Sequence, residues 1–226
     1  MADTKKPKNE KFRTPRGVFV YPKLNEPDTK FNAEGIYSLR LRLSSDEAKP
    51  LIEKIEAAAA AKFDAEKAEL MKGDGKSKAK AKQLKMVSDK PYRAVVDDDG
   101  NETGDVEFNI KMRAQRTDKK TGKVIKMKPA IFDAKGKELK APPMIWGGTE
   151  GKVSGEFVPF ATNIGVGVSL RLAGVQILDL VSGGQRDAKS LGFEEEDGYE
   201  GEDAPAKADD EDAASDSTES DDDPDF

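Results

Sequence analysis

Three stretches of this chain alternate apolar and polar residues with a period of two, and that alternation limits the fold more than any other feature. In Ile36–Leu43, Tyr37, Leu39, Leu41 and Leu43 fall on one side, with Ser38, Arg40 and Arg42 on the other. Val106, Phe108, Ile110 and Met112 oppose Glu107, Asn109, Lys111 and Arg113. Val166, Val168, Leu170 and Leu172 oppose Ser169 and Arg171. Successive side chains on a strand point to opposite faces, so each stretch reads as a strand with one buried and one wet face. Gly17–Tyr21, Lys123–Phe132, Lys152–Val158 and Val175–Val181 read as further strands, with a bulge or bend at Gly174. Ser44 and Ser45 cap a helix expected over about 45–71, where Leu51, Ile52, Ile55, Ala59, Phe63 and Leu70 recur at helical spacing and Pro50 sits in the first turn. Lys72–Lys90 is lysine-rich, contains Gly73 and Gly75, and is expected to be a mobile loop. No strand–helix–strand repeat follows. The expected class is all-β with one packed helix, arranged as a small antiparallel barrel.

The charge is divided between two regions. Glu194–Phe226 holds 17 acidic residues and one basic residue, Lys207, for a net of −16. The whole chain carries −6, so residues 1–193 carry +10. The acidic segment lacks the apolar surface needed to offset chain entropy and is expected to be disordered. Three regions are therefore expected: a flexible basic N-terminus over 1–14, a folded domain over 15–183, and an acidic tail over 184–226. A basic body with an acidic tail is the pattern of a polyanion binder that carries a docking or regulatory appendage. The tail ends in a lone aromatic, Phe226, behind Asp225, which suits capture by a pocket on a partner.

Three strands place paired cations opposite their apolar faces: Arg40 with Arg42, Lys111 with Arg113, and Lys126 with Lys128. Lys119, Lys120 and Lys123 add charge around the intervening turn. Ordinary solubilising charge explains any one pair. Three pairs on a +10 body point instead to a sheet surface that follows a phosphate backbone. A single-strand binder also needs flat rings for bases to stack on. Tyr37 and Phe108 share faces with Leu and Ile and read as core. Phe160, after Pro159 at a strand end, is the first candidate, and Trp146, beside Gly147 and Gly148, the second. Tyr21 and Tyr92 flank prolines.

Several chemistries fail. The chain has no cysteine and no histidine, which excludes disulfides, a Ser-His-Asp triad and zinc sites built from those residues. Gly75-Lys76-Ser77 imitates the end of a phosphate loop, but Leu70 stands where the first glycine belongs. Asp97–Glu102 starts like a calcium loop, but its glycine falls too early. Gly165-Val166-Gly167 has no helix after it. No catalytic constellation and no cofactor site are expected. Met1–Glu10 is polar, and the greasiest segment, Ile164–Val181, is broken by Arg171 and Asp179, so neither a secretory signal nor a membrane span is expected. The chain reads as cytoplasmic.

Several motifs occur in an order that resembles the single-stranded-DNA-binding proteins of short-tailed phages of the T-seven type. They are Glu34-Gly35-Ile36-Tyr37, Asp118-Lys119-Lys120-Thr121, Phe132–Lys137, Ile145–Gly148, Val158-Pro159-Phe160, Asn163–Ser169 and the terminal Asp225-Phe226. The chain departs from the family pattern at Glu34, where a basic residue is expected, and at Thr162, where a tryptophan is. The resemblance implies a five-stranded Greek-key OB-fold with one helix packed on it. It implies coating of single-stranded DNA during replication, recombination and repair, and annealing of complementary strands. It also implies a homodimer, and a tail that docks on the phage DNA polymerase and helicase–primase. Carried onto this chain, it assigns base stacking to Phe160 and a basic hairpin to Lys119–Lys126. The alternative from another class is an acidic-tailed chaperone, in which the tail engages basic clients and the barrel is only a scaffold. A Mg²⁺-dependent nuclease is a third and weaker reading.

Overall fold

The alternating segments form the strands their spacing dictates. The computed structural model describes residues 9–30, 32–118 and 121–181, all within the unit Met1–Gln185. The acidic tail, the first eight residues, and Lys119 and Lys120 lie outside the described residues. In chain order the elements are β1 (Lys11–Arg13), β2 (Gly17–Asp28), β3 (Ile36–Ser44), α1 (Ser45–Lys72), α2 (Gly75–Gln83), β4 (Tyr92–Val96), β5 (Glu102–Arg113), β6 (Gln115–Thr117), β7 (Val124–Lys126), β8 (Ala130–Phe132), β9 (Glu150–Thr162) and β10 (Gly165–Asp179).

Five long strands pair in a circuit. β2 pairs with β3, β3 with β5, β5 with β10, β10 with β9, and β9 back with β2. Every pairing is antiparallel except β5 with β10. β1 adds to β9, β4 to β5, and β8 runs parallel to β10. The parallel pairings depart from the purely antiparallel sheet expected. A parallel partner needs a long crossover, and residues 114–164, between the end of β5 and the start of β10, provide one.

The inward face fills with what the alternation put there. Phe19, Leu39, Leu41, Phe108, Ile110 and Leu172 are all essentially fully buried. β9 lies close against its neighbours, and glycine allows the approach. A Cβ on Gly151 would lie 2.3 Å from the Gln176 carbonyl, and one on Gly155 2.5 Å from the Phe12 ring. Phe12 in turn meets Phe157 at 5.1 Å between centroids. At Gly174 the β9–β10 register slips by one residue, the bulge the sequence suggested.

α1 starts where expected. Ser44 Oγ accepts a hydrogen bond from the Glu47 amide, an N-cap that satisfies one orphan helix-end donor, and donates its own hydrogen to the Glu47 carboxylate at 2.8 Å. Ala48, Leu51, Ile55 and Ala59 are buried, so the first half of the helix packs on the strands. Pro50 is the sixth helical residue, in the second turn rather than the first, and its ring nitrogen cannot donate to the Asp46 carbonyl.

Two expectations need correction. Lys72–Lys90 is not a plain loop. It contains α2, whose N-cap Asp74 accepts from the Ser77 amide at 2.8 Å and whose Ala81 is buried. There are thus two helices rather than one among the described residues. The glycine-rich entry and the run of lysines concealed a capped helix, because lysine and alanine are good helix formers once a cap is present. The carboxylate that caps α2 also occupies the helix N-terminus, next to the Gly75-Lys76-Ser77 sequence. Lys123–Phe132 is not one strand either. β7 pairs with β6 in a separate two-stranded hairpin, the chain leaves the pairing after Lys126, and β8 joins β10. Pro129 lies in this break, where a residue without an N–H cannot continue a ladder.

Candidate nucleic-acid interface

The wet face of the five-strand circuit places its cations in rows set by strand register. One row runs Lys23 on β2, Ser38 on β3, Lys111 on β5 and Arg171 on β10. Strands lie about 4.8 Å apart, so Lys23 and Lys111 project roughly 10 Å from each other across Ser38. Arg113 stands two residues beyond Lys111 on the same face, opposite Ile36. Lys23, Lys111 and Arg113 are exposed and have no ion-pair partner among the described residues. A lysine or arginine so placed is free to meet a phosphate without first giving up a protein carboxylate.

The next row behaves differently. Arg42 sits opposite Glu107, and Glu107 opposite Arg93 of β4. The Glu107 carboxylate is buried and accepts hydrogen bonds from Arg42 at 2.8 Å and Arg93 at 2.9 Å, with Arg40 at 3.7 Å. Burial alone would raise this carboxyl. The hydrogen bonds and charges of Arg42 and Arg93 reverse that and hold it below the ordinary glutamate value. Arg42 Nε is buried and has no partner among the described residues. Arg40 and Arg42 therefore belong to an ion-pair cluster, and only part of their charge faces outward. Arg40 also places its guanidinium 5.7 Å from the centre of the Tyr21 ring. Arg171 shares its row with Glu156, at 3.5 Å.

The third basic pair does not join this sheet. Lys126 lies on β7, in the separate β6–β7 hairpin, and Lys128 in the break after it; both are exposed. Lys123 is exposed in the turn, which is closed by the Asp118 and Gly122 amides and by Gly122 at φ 68°. The hairpin is tethered to the end of β5 by a hydrogen bond from the Met127 amide to the Ala114 carbonyl. The basic surface thus has two parts: the wet face of β2, β3, β5 and β10, and an arm that continues from β5.

A family model described as the single-stranded DNA-binding protein of bacteriophage T7 matches residues 17–180, which contain both parts of this surface. The chain belongs to that family. The single-stranded DNA-binding protein of Enterobacteria phage T3 is 30% identical over 178 residues, covering 74% of this chain and 72% of that protein. The protein of the same description from Escherichia phage T7 is 33% identical over 112 residues, and that match spans 49% of this chain and 48% of the relative, about half its length. In fold the chain is similar to the crystal structure of gp2.5, the bacteriophage T7 protein of this description. The TM-score is 0.65 at 23% identity, covering 86% of this chain and 100% of that one. The single-stranded DNA-binding protein of bacteriophage Enc34 in complex with single-stranded DNA gives 0.51 at 17% identity, covering 76% and 88%. The resemblance carried by the motif order is borne out.

The exposed and strand-end aromatics occupy unequal positions. Phe160 is half-buried at the end of β9, its ring over Gly167 of β10, which faces it in register. A Cβ on Gly167 would lie 2.8 Å from the ring and 2.5 Å from the Val87 side chain, so Val87 crowds the same spot. Val87, in the segment after α2, is held there by the hydrogen bond its amide donates to the Val166 carbonyl. Trp146 is 48% exposed in the loop before β9, and Tyr21 is 74% exposed on β2. Asp225 and Phe226, the expected partner-binding residues, lie outside the described residues, as do Lys119 and Lys120. Sequence reading missed Lys23, Arg93, Arg171 and Tyr21 as site residues. Arg93 had a usable signal, since Tyr92-Arg93-Ala94-Val95-Val96 is a β-prone run. Lys23 had none, because the strand that carries it is interrupted by Pro22.

Proposed function

We propose that this chain coats single-stranded DNA as a phage replication protein, binding along the wet face of β2, β3, β5 and β10. The observation that carries the reading is the row Lys23–Ser38–Lys111–Arg171, flanked by Arg113, in which the exposed cations at the β2 and β5 positions are unpaired. The strand circuit supports the same reading. In chain order its five members pair as 1-2-3-5-4-1, with the third and fifth parallel, and we read it as an OB-type barrel, an architecture that binds nucleic acid across one sheet face. The proposal extends to roles in replication, recombination, repair and strand annealing, in the host cytoplasm, and to a homodimeric state.

In this reading the −16 tail is a tethered polyanion at an effective concentration on the order of millimolar. It rivals DNA for the basic face, and its displacement frees Phe226 to recruit the polymerase and the helicase–primase. If about four phosphates are neutralised, a single-strand slope of about −0.7 per contact gives roughly a 50-fold loss of affinity between 50 and 200 mM salt. A salt titration of oligo-dT binding tests this with full-length protein beside a variant lacking Glu194–Phe226. The truncated protein is expected to bind more tightly, most of all at low salt. Equal affinity at every salt concentration would remove the tail from the DNA site. Phe226→Ala is expected to leave oligo-dT binding unchanged and to weaken capture of the polymerase in a pull-down; undiminished capture would show that another part of the tail is the anchor.

A further inference from the structure

We propose that the cleft between Tyr21 and Trp146 seats an unpaired nucleobase, making a stacking subsite at the β2 end of the basic face. This rests on the single-strand reading above and adds to it a site that neither the alternation pattern nor Phe160 accounts for.

The starting observation is a break in parity. On β2, Gly17 and Phe19 are buried, so Tyr21 should be the next inward residue. It is instead 74% exposed, and Leu24 takes the next buried position. The cause is a bulge. Val20 faces Arg40 and Lys23 faces Ser38, so three steps on β2 oppose two on β3. Within that bulge Tyr21 adopts φ 48°, a left-handed conformation that is rare and strained for a bulky side chain. Bulges of this kind re-aim a side chain and concentrate near functional sites.

The facing wall is held firmly. Asn25 donates to the Pro143 carbonyl at 2.9 Å and accepts from the Ile145 amide at 3.0 Å, while Ile145 is buried. Gly148 donates to the Phe19 carbonyl on β2. These contacts fix the 143–148 loop beside β2 and leave Met144 and Trp146 about half exposed. Tyr21, Lys23, Met144 and Trp146 line one cleft of about 380 Å³, with Glu26 its single carboxylate. Two aromatic rings and a thioether supply flat, polarisable surface. Arg40 lies over Tyr21, and Lys23 leads from the cleft into the cationic row. Rings for the base and adjoining cations for its phosphate are the combination that binds single strands without sequence preference.

Trp146 is the chain's one tryptophan, so its fluorescence reports on this cleft. Titrating oligo-dT into the full-length protein at low salt is expected to quench it, with the same midpoint as an independent anisotropy measurement on labelled oligo-dT. Tyr21→Gly relieves the backbone strain while removing the ring. It is expected to keep or raise the melting temperature and to weaken oligo-dT binding about 5- to 150-fold, the range for losing one stacked base. Tyr21→Phe should restore binding to within about 2-fold of the unaltered protein, because stacking needs the ring and not the hydroxyl. If anisotropy shows tight binding while Trp146 does not respond and Tyr21→Gly binds normally, the cleft is no base site although the single-strand reading survives. If anisotropy shows no binding at all, both fail. Quenching that instead follows protein concentration without DNA, and disappears in Tyr21→Gly, would assign the cleft to a second copy of the chain and overturn the proposal.

Discussion

Replacing Lys23, Lys111 and Arg113 together by glutamate is expected to lower oligo-dT affinity by about 500-fold or more at 50 mM salt. The size follows from counterion release. Each phosphate contact on a single strand contributes about 0.7 to the logarithmic salt slope, so losing three contacts at this salt removes roughly 2.7 decades before any repulsion is added. The slope itself should flatten from about −2.8 toward −0.7 if four contacts are made. Unlike Arg40 and Arg42, these three residues are exposed and have no ion-pair partner among the described residues, so their reversal touches no ion pair described in the structure. Stability should change by no more than about 0.5 kcal/mol per site. A triple variant that melts normally yet binds oligo-dT with undiminished affinity would move the DNA path off this face. Loss of affinity without any change in salt slope would mean that the residues shape the surface rather than meet phosphates.

Most of the fold was legible because burial follows parity. The three alternating segments became β3, β5 and β10, and their apolar halves became the core. The cap at Ser44 was legible because it is a local signal. What escaped was decided by partners distant in sequence. The shared edge of β5, paired with β4 along one stretch and β10 along another, leaves no trace in either strand's own pattern. The three basic pairs looked equivalent in sequence, yet only two lie on one sheet, and Pro129 divides the third from it. Parity also failed at Tyr21, where one extra residue on β2 reverses the side a ring points to. Alternation alone cannot register a bulge, because the pattern on either side of it remains intact.

Glu107 was the other illegible feature, and it supports the second large expectation. By parity it is a wet-face residue among cations, and nothing local marks it as buried. Register places it between Arg42 and Arg93, which enclose it. Glu107→Gln keeps the shape and removes the charge. Arg42 and Arg93 are partly exposed, so solvent takes up some of their lost pairing. The expected cost is about 2 kcal/mol, which lowers the melting temperature by roughly 4–8 °C in a domain of this size. DNA binding should move the other way. An arginine released from Glu107 gains a phosphate contact worth about 8-fold at 50 mM salt and steepens the slope by about 0.7. The pH dependence has a fixed sign. The folded-state carboxyl is held below its ordinary value of 4.5, so its contribution is present above that pH and is lost as pH falls through the lowered folded value. The stability gap between the unaltered protein and Glu107→Gln should therefore be widest near neutrality and narrow as the pH falls below 4.5. Opposite shifts in stability and affinity are what distinguish a carboxylate that restrains the arginines from one that merely builds the groove. A variant that is both less stable and a weaker DNA binder would assign Glu107 the second role, and would place Arg42 outside the DNA path altogether.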